Sequence, residues 1–317
     1  MNANQTTIRT FLMLMLWPIV TAGGRSDDPI IVGYLPEYRM SDVVPEHLKP
    51  LTDLIYFGLV PSKDGTIPDA AVSASVLGKL HEIKRVAECR LLICVGGWER
   101  SDNFSAIAGS RATRLRFISS LSMFCRDNGF DGVDFDWEHP KDAREIADFG
   151  QLVAETRTAF ADKRLLVTVA QAGWQDLGKI VYNNADRVHL MAYDHVFPQA
   201  SLKAATADVD RLLEAGCPSR KIALGVPFYG RRKDGTARAY CELLKTRTTA
   251  PAEDIFDGFA FNGTNTLRRK VELIRKRNLA GIMIWEIGQD TVDAETSLLR
   301  VIEEPLRRGP TDDSSRK

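Results

Sequence analysis

Asp134, Asp136 and Glu138 stand two residues apart in the stretch Phe130-Asp131-Gly132-Val133-Asp134-Phe135-Asp136-Trp137-Glu138. On an extended strand this spacing puts all three carboxyl groups on one face. Like charges side by side repel, and desolvation also holds carboxyl protons to higher pH. Such a row works against stability and suits general acid–base chemistry near neutral pH. Val133 and Phe135 take the opposite face, which marks a buried strand and not a solvated acidic edge. Trp137 shares their parity near the strand end. Asp131 is out of phase with the row and is expected to open the strand and cap local backbone.

A rigid frame must present that strand, and the rest of the chain alternates strands with helices. Apolar runs predict strands over 30–35, 54–60, 91–95, 165–170, 187–192, 222–226 and 280–285, with the acidic strand fourth in order. Helical patterns fall over 74–87, 111–127, 142–161, 201–215, 264–278 and 291–306, with a shorter one over 174–183. Gly129 is a candidate C-terminal cap, Asp142 with Glu145 a capping box, and Thr264 a cap for the helix it opens. Eight such strands in one chain predict a single-domain α/β fold, a (β/α)8 TIM barrel, and no glycine-rich dinucleotide turn follows an early strand. Barrel enzymes carry their chemistry at the C-terminal strand ends. There the sequence places Tyr34, Phe57, Trp98, Glu138, Met191, Tyr193, Asp194, Tyr229 and Trp285, a ring of aromatics on which sugars could stack. Glu37 and Gln171 are assigned to local loop hydrogen bonding, and His139 and His195 to structural roles.

The totals limit the partners. Of 317 residues, 44% are hydrophobic, enough for a large core, and 42 basic residues balance 42 acidic ones. A neutral chain gives no reason to expect nucleic acid and suits an uncharged polysaccharide. The scattered histidines and cysteines lack metal-ligand spacing, so neither a metal nor another cofactor is expected. Arg9 before the apolar run 11–20, followed by Val20-Thr21-Ala22, predicts an export signal over 1–22 and a start near Gly23. That run is short for a membrane span and holds Pro18, so stable membrane insertion is not expected, an uncleaved anchor being the alternative. The catalytic domain would cover 23–306, with a polar tail over 307–317. Five cysteines, an odd number, predict no disulfide framework. Asn103-Phe104-Ser105 and Asn262-Gly263-Thr264 match the N-glycosylation pattern.

The Asp131–Glu138 segment resembles the Asp-x-x-Asp-x-Asp-x-Glu signature of glycoside hydrolase family 18, the chitinases and their relatives. Gly96-Gly97-Trp98, Met191-Ala192-Tyr193-Asp194, the segment Leu224 to Arg231 and Met283-Ile284-Trp285 are similar to further segments of that family, in the same order. The resemblance implies a glycosidase of this barrel acting on a polymer or oligomer of β-1,4-linked N-acetylglucosamine, and a monomer is expected. It implies that the substrate's 2-acetamido group is the nucleophile. Glu138 would then be general acid and base, and Asp136 would orient the acetamido group. Asp134 would share a proton with Asp136, and Tyr193 would hydrogen-bond the acetamido oxygen. Trp285 would floor the reacting sugar's subsite, and Met191, Asp194, Trp98, Tyr34 and Phe57 would complete the binding surface. An endo-acting enzyme on N-glycans, a peptidoglycan-type glycosidase and a non-catalytic chitin-binding lectin stay open as alternatives. Residues 232–262 are too few for the α+β domain that larger members insert before the eighth strand, which implies a shallower groove.

Overall fold

The computed structural model describes residues 29–68, 71–245 and 251–307. The expected export signal over 1–22, the start near Gly23 and the tail from 308 lie outside these residues. The barrel strands are β1 (Ile30–Pro36), β2 (Asp53–Leu59), β3 (Arg90–Gly96), β4 (Gly132–Asp136), β5 (Leu166–Ala172), β6 (Arg187–Met191) and β7 (Ile222–Pro227). Four short strands follow, β8 (Tyr229–Arg231), β9 (Ala237–Ala239), β10 (Ile255–Phe256) and β11 (Phe259–Ala260), before β12 (Gly281–Trp285). Parallel pairing in the order β1-β12-β7-β6-β5-β4-β3-β2 closes the barrel. The helices are α1 (Ala74–Ala87), α2 (Phe104–Ala108), α3 (Arg111–Asp127), α4 (Ala143–Phe160), α5 (Gly178–Asn184), α6 (Leu202–Glu214), α7 (Tyr240–Leu243), α8 (Thr264–Lys276) and α9 (Leu298–Arg307).

The two-residue period of the strands separates two cores. Val32, Tyr34, Ile55, Phe57, Leu92, Cys94, Ala223 and Met283 pack together inside the barrel. Their sequence neighbours Ile31, Leu54, Tyr56, Leu91, Ile93, Val133 and Phe135 belong to the larger core beneath the helices. Burial on both faces explains why these strands are nearly continuous apolar strings. At the N-terminal end of the barrel, Asp53 is fully buried and pairs with Arg90 at 2.7 Å and Arg187 at 2.9 Å. An ion cluster therefore closes the end opposite the acidic strand's tip.

The local signals largely correspond to real contacts. Asp142 Oδ1 accepts from the Arg144 and Glu145 N–H groups, both at 2.9 Å, and Glu145 Oε2 accepts from Lys141 N at 2.7 Å. Gly129 follows the Asn128 cap of α3 with φ +68°, a conformation that favours glycine. Asp131 Oδ2 accepts from Leu91 N at 2.8 Å and pairs with Lys84 at 2.6 Å, the backbone-capping role expected of it.

Several expectations need correction. The cap of α8 is Gly263, not Thr264, which is the first helical residue. Asp254, from outside the helix, accepts from Gly263 N and Thr266 Oγ1. The last helix begins at Leu298, not 291, because the Asp290 carboxylate accepts from Leu298 N and Leu299 N and so caps α9 from a distance. After β7, β8 to β11 form a four-stranded antiparallel sheet in the order β10-β11-β8-β9, with α7 attached. Asn262 is buried, donating to Ala200 O and accepting from Lys270, so that sequon has no room for a glycan. All five cysteines are free, and all but Cys241 are buried. Trp137 is buried, stacked on Phe104 at 5.2 Å. Among the described residues no helix is long and apolar enough to cross a membrane.

Candidate active site

The tip of β4 is held by the glycine pair that ends β3. Gly97 N donates to Asp136 O at 2.7 Å. Ser101 Oγ lies 3.1 Å from that same carbonyl and accepts from Glu138 N at 3.0 Å. Gly97 has φ +101°, and a Cβ there would fall 2.1 Å from the Phe57 ring. At Gly96 it would fall 2.3 Å from Asp136 O. Only residues without a side chain let the two strand ends approach this closely.

Of the three acids, Asp134 lies deepest. It accepts from Tyr34 Oη at 2.7 Å and Thr168 Oγ1 at 2.5 Å, and His189 Nδ1 stands 3.0 Å from its Oδ1. Asp136 is 3% exposed. Burial first, then the charges of Glu138 and Asp134, hold its proton well above the usual carboxylate range. Burial also pushes Glu138 up, to about 7; Asp194 adds to the rise and the Trp98 N–H opposes it. Burial is the leading cause of the Glu138 shift, and the charge of Asp194 is the second.

These groups lie in a cavity of about 600 Å3. Tyr34, Trp98, Asp136, Glu138, Met191, Tyr193, Asp194 and Trp285 all line it. The Trp285 indole packs against Tyr34 at 5.8 Å and edge-on against Phe57 at 5.0 Å. Trp98 stands at the rim, 67% exposed. Asp194 Oδ1 accepts from Tyr229 Oη at 2.7 Å and Arg231 Nε at 2.9 Å. Two of the expected site residues do not line the cavity. Asp134 is enclosed behind Asp136 within the barrel, and Phe57, expected at the sugar surface, lies buried against Trp285.

The polar residues assigned to local or structural roles make the following contacts. Gln171 Nε2 donates to Gln175 O at 2.8 Å, and His195 Nε2 lies 2.7 Å from Asp208 Oδ2. His139 packs on Trp174 with ring centroids 5.0 Å apart, its Nε2 3.6 Å from Glu138 Oε2. Four residues of the site go beyond those expected, two of them, Met283 and Arg231, inside segments that resemble the family. Thr168 and His189 surround Asp134, and Met283 lines the cavity. Strand parity could have found these three, since Met283 and His189 lie two residues before Trp285 and Met191, and Thr168 faces Asp134 across β4–β5. Arg231 carries no such signal, because it belongs to the small sheet.

The sequence matches Glycosyl hydrolases family 18 over residues 30–290. The chain belongs to that family. Chitinase 1 of Aphanocladium album is 27% identical over 267 residues, covering 64% of this chain and 62% of that protein. The chain thus spans about three-fifths of the length of that curated relative. The GH18 chitinase ChiB from the chitin utilization locus of Flavobacterium johnsoniae superposes with a TM-score of 0.78 at 26% identity, covering 88% of this chain and 94% of that one. A GH18 chitinase from Cycas revoluta, in complex with (GlcNAc)3, shares the fold with a TM-score of 0.75 at 23% identity, covering 87% and 99%. Among the described residues, the chain between β7 and α8 forms the small β8–β11 sheet with α7, and that sheet contributes Tyr229, Arg231 and Ala237 to the cavity wall.

Proposed function

We propose that the protein is a retaining glycosidase that cleaves chains of β-1,4-linked N-acetylglucosamine, as the chitinases similar to it are named for doing. The observation that carries this is the burial and bonding of each carboxyl group that lines the cavity. An enzyme-borne nucleophile must be an ionised carboxylate beside the anomeric carbon. The carboxyl groups lining the cavity are Asp136, Glu138 and Asp194. Asp136 is buried, which raises its pKa well above the usual carboxylate range, and Asp194 is committed to Tyr229 and Arg231. This leaves Glu138, held to about 7, as the proton donor, and favours attack by the sugar's own 2-acetamido oxygen.

In this mechanism Glu138 protonates the leaving oxygen as the acetamido carbonyl closes on the anomeric carbon to form an oxazolinium ion. Asp136 accepts a hydrogen bond from the acetamido N–H as positive charge develops on that nitrogen, passing its proton toward Asp134. Tyr193 donates to the acetamido oxygen, and Trp285 supports the apolar face of the sugar. Water, deprotonated by Glu138, then opens the ring with overall retention. The cleft wall formed by the small sheet suits a soluble oligomer or chain end better than long tracts of crystalline polymer. Residues 1–22 would direct export, by their charge and apolar pattern. Incubation with N-acetylglucosamine oligomers should give shorter oligomers whose new reducing ends are initially β. Initial α product would overturn the mechanism. Binding without cleavage would turn the reading toward a lectin, and release from a high-mannose glycoprotein alone toward an N-glycan enzyme.

A further inference from the structure

Beside the cleft lies a second cavity of about 460 Å3. One side is the loop after β6, with His195, Val196, Phe197 and Gln199, and the other is the β8–β9 turn, with Arg231, Arg232, Lys233 and Gly235. Arg231 lines both cavities, so the two are neighbours across one side chain. The second has three cationic side chains in its wall and no carboxylate.

Two of the cations are fixed from behind. Arg231 is bound to Asp194, and Arg232 pairs with Asp257 Oδ2 at 3.0 Å while lying over the Phe259 ring at 4.3 Å. Lys233 is different. It is exposed, its Nζ lies 5.4 Å from the centre of the Phe197 ring, and among the described residues no carboxylate stands within ion-pair distance of it. Its neighbour Asp234 is occupied by the turn, accepting from Thr236 N at 2.9 Å, and does not line the cavity.

A space of this size exceeds the needs of a bare inorganic anion and falls in the range of small-molecule sites. Phe197 offers an apolar face of the kind sugars pack against, and Lys233 supplies the charge for an acid, Arg231 and Arg232 being balanced by Asp194 and Asp257. A fully neutral chitin chain would leave that charge without use. We propose that this cavity is a subsite for a carboxylate-bearing sugar unit, belonging to the same chain whose N-acetylglucosamine units occupy the cleft. The proposal rests on the function proposed above for that cleft. Lys233 would bind the carboxylate and Phe197 would take one face of the ring.

The test uses the full-length protein and two oligomers of equal length, one of N-acetylglucosamine alone and one with C6 carboxylates on some units. The wild type should show a lower KM for the carboxylated oligomer. Lys233→Glu should raise that KM by about ten-fold, the effect of one charge-assisted contact, and leave the KM for the neutral oligomer within about two-fold. Equal KM values in the wild type, or an equal shift for both oligomers in the variant, overturns the subsite. Inorganic phosphate is the control for a bare-anion site, and inhibition by phosphate without preference between the oligomers also overturns it. If the wild type cleaves neither oligomer, the glycosidase reading fails. Calorimetric binding of both oligomers to protein carrying Glu138→Gln, with and without Lys233→Glu, then still decides the subsite.

Discussion

His189 Nδ1 lies 3.0 Å from Asp134 Oδ1, with both side chains closed off from solvent inside the barrel. The same nitrogen is 2.9 Å from Tyr34 Oη, so histidine, tyrosine and Thr168 together satisfy a carboxyl group that has no access to water. Removing one partner of a buried acid costs about 1–3 kcal/mol. His189→Leu should lower unfolding stability by that amount in a urea titration. It should also lower kcat more than it raises KM, because the proposed mechanism passes a proton between Asp136 and Asp134. His189→Asn, whose amide can still donate to Asp134, should recover much of both losses. If the asparagine variant proved no better than the leucine one, the hydrogen bond would not be what matters.

Glu138→Gln should reduce kcat by roughly a hundred- to ten-thousand-fold, the usual worth of a positioned acid–base group, while calorimetry still finds oligomer binding. It should also change stability in a pH-dependent way. The Glu138 pKa is raised by folding to about 7, so between its ordinary value and 7 the folded state holds more proton than the unfolded state. Stability from this group is therefore present at low pH and lost as pH rises toward 7. A glutamine avoids that loss, so the variant should be more stable than the wild type at pH 8, by an amount on the order of 1–3 kcal/mol, and little changed at pH 4. Parallel melting curves at both values would check it.

The charge of Asp194 is the second cause holding the Glu138 proton. Asp194→Asn removes that charge, so the Glu138 pKa should fall. The general acid would then deprotonate at lower pH, and the alkaline limb of the kcat/KM profile should move to lower pH. Because Asp194 also anchors Tyr229 and Arg231, overall rate will drop for several reasons, and only the position of the limb reports the electrostatic effect. An unmoved limb would mean that burial alone sets the Glu138 pKa.

Strand parity is a strong signal, and it made the barrel and most of its mouth legible: Asp134, Asp136 and Glu138 on one face, with Met191 and Trp285 at the ends of other strands. It fails where a residue's role depends on what lies across the barrel. Phe57 has the parity and position of a sugar contact, but the indole of Trp285 lies against it, and no one-dimensional pattern records which of two inward aromatics reaches the cleft. His189 has inward parity, which places it inside the barrel, but parity does not name its partner Asp134, 55 positions away in the chain (189 less 134) on a strand that is not its neighbour. The Asp290 and Asp254 caps show a third limit. Both replace local capping by a carboxylate from outside the helix, which moved the start of α9 and the cap of α8 away from where local rules put them.

Gly97 joins the backbone of the acidic strand to the floor of the cleft, and one methyl group should show it. Its φ of +101° is strained for any residue with a side chain, and a Cβ would lie 2.1 Å from a Phe57 ring that itself supports Trp285. Gly97→Ala should therefore cost on the order of 2–4 kcal/mol, from backbone strain together with overpacking. What folded protein remains should have a raised KM, since Phe57 can yield only by displacing the indole. Gly78→Ala is the contrast. Gly78 lies on the exposed face of α1 with nothing within 4 Å of a new Cβ, and alanine there should stabilise the protein by about 0.5–1 kcal/mol without altering KM. If both variants melted alike and bound oligomer alike, the close approach of β3 to the cleft floor would have no functional weight.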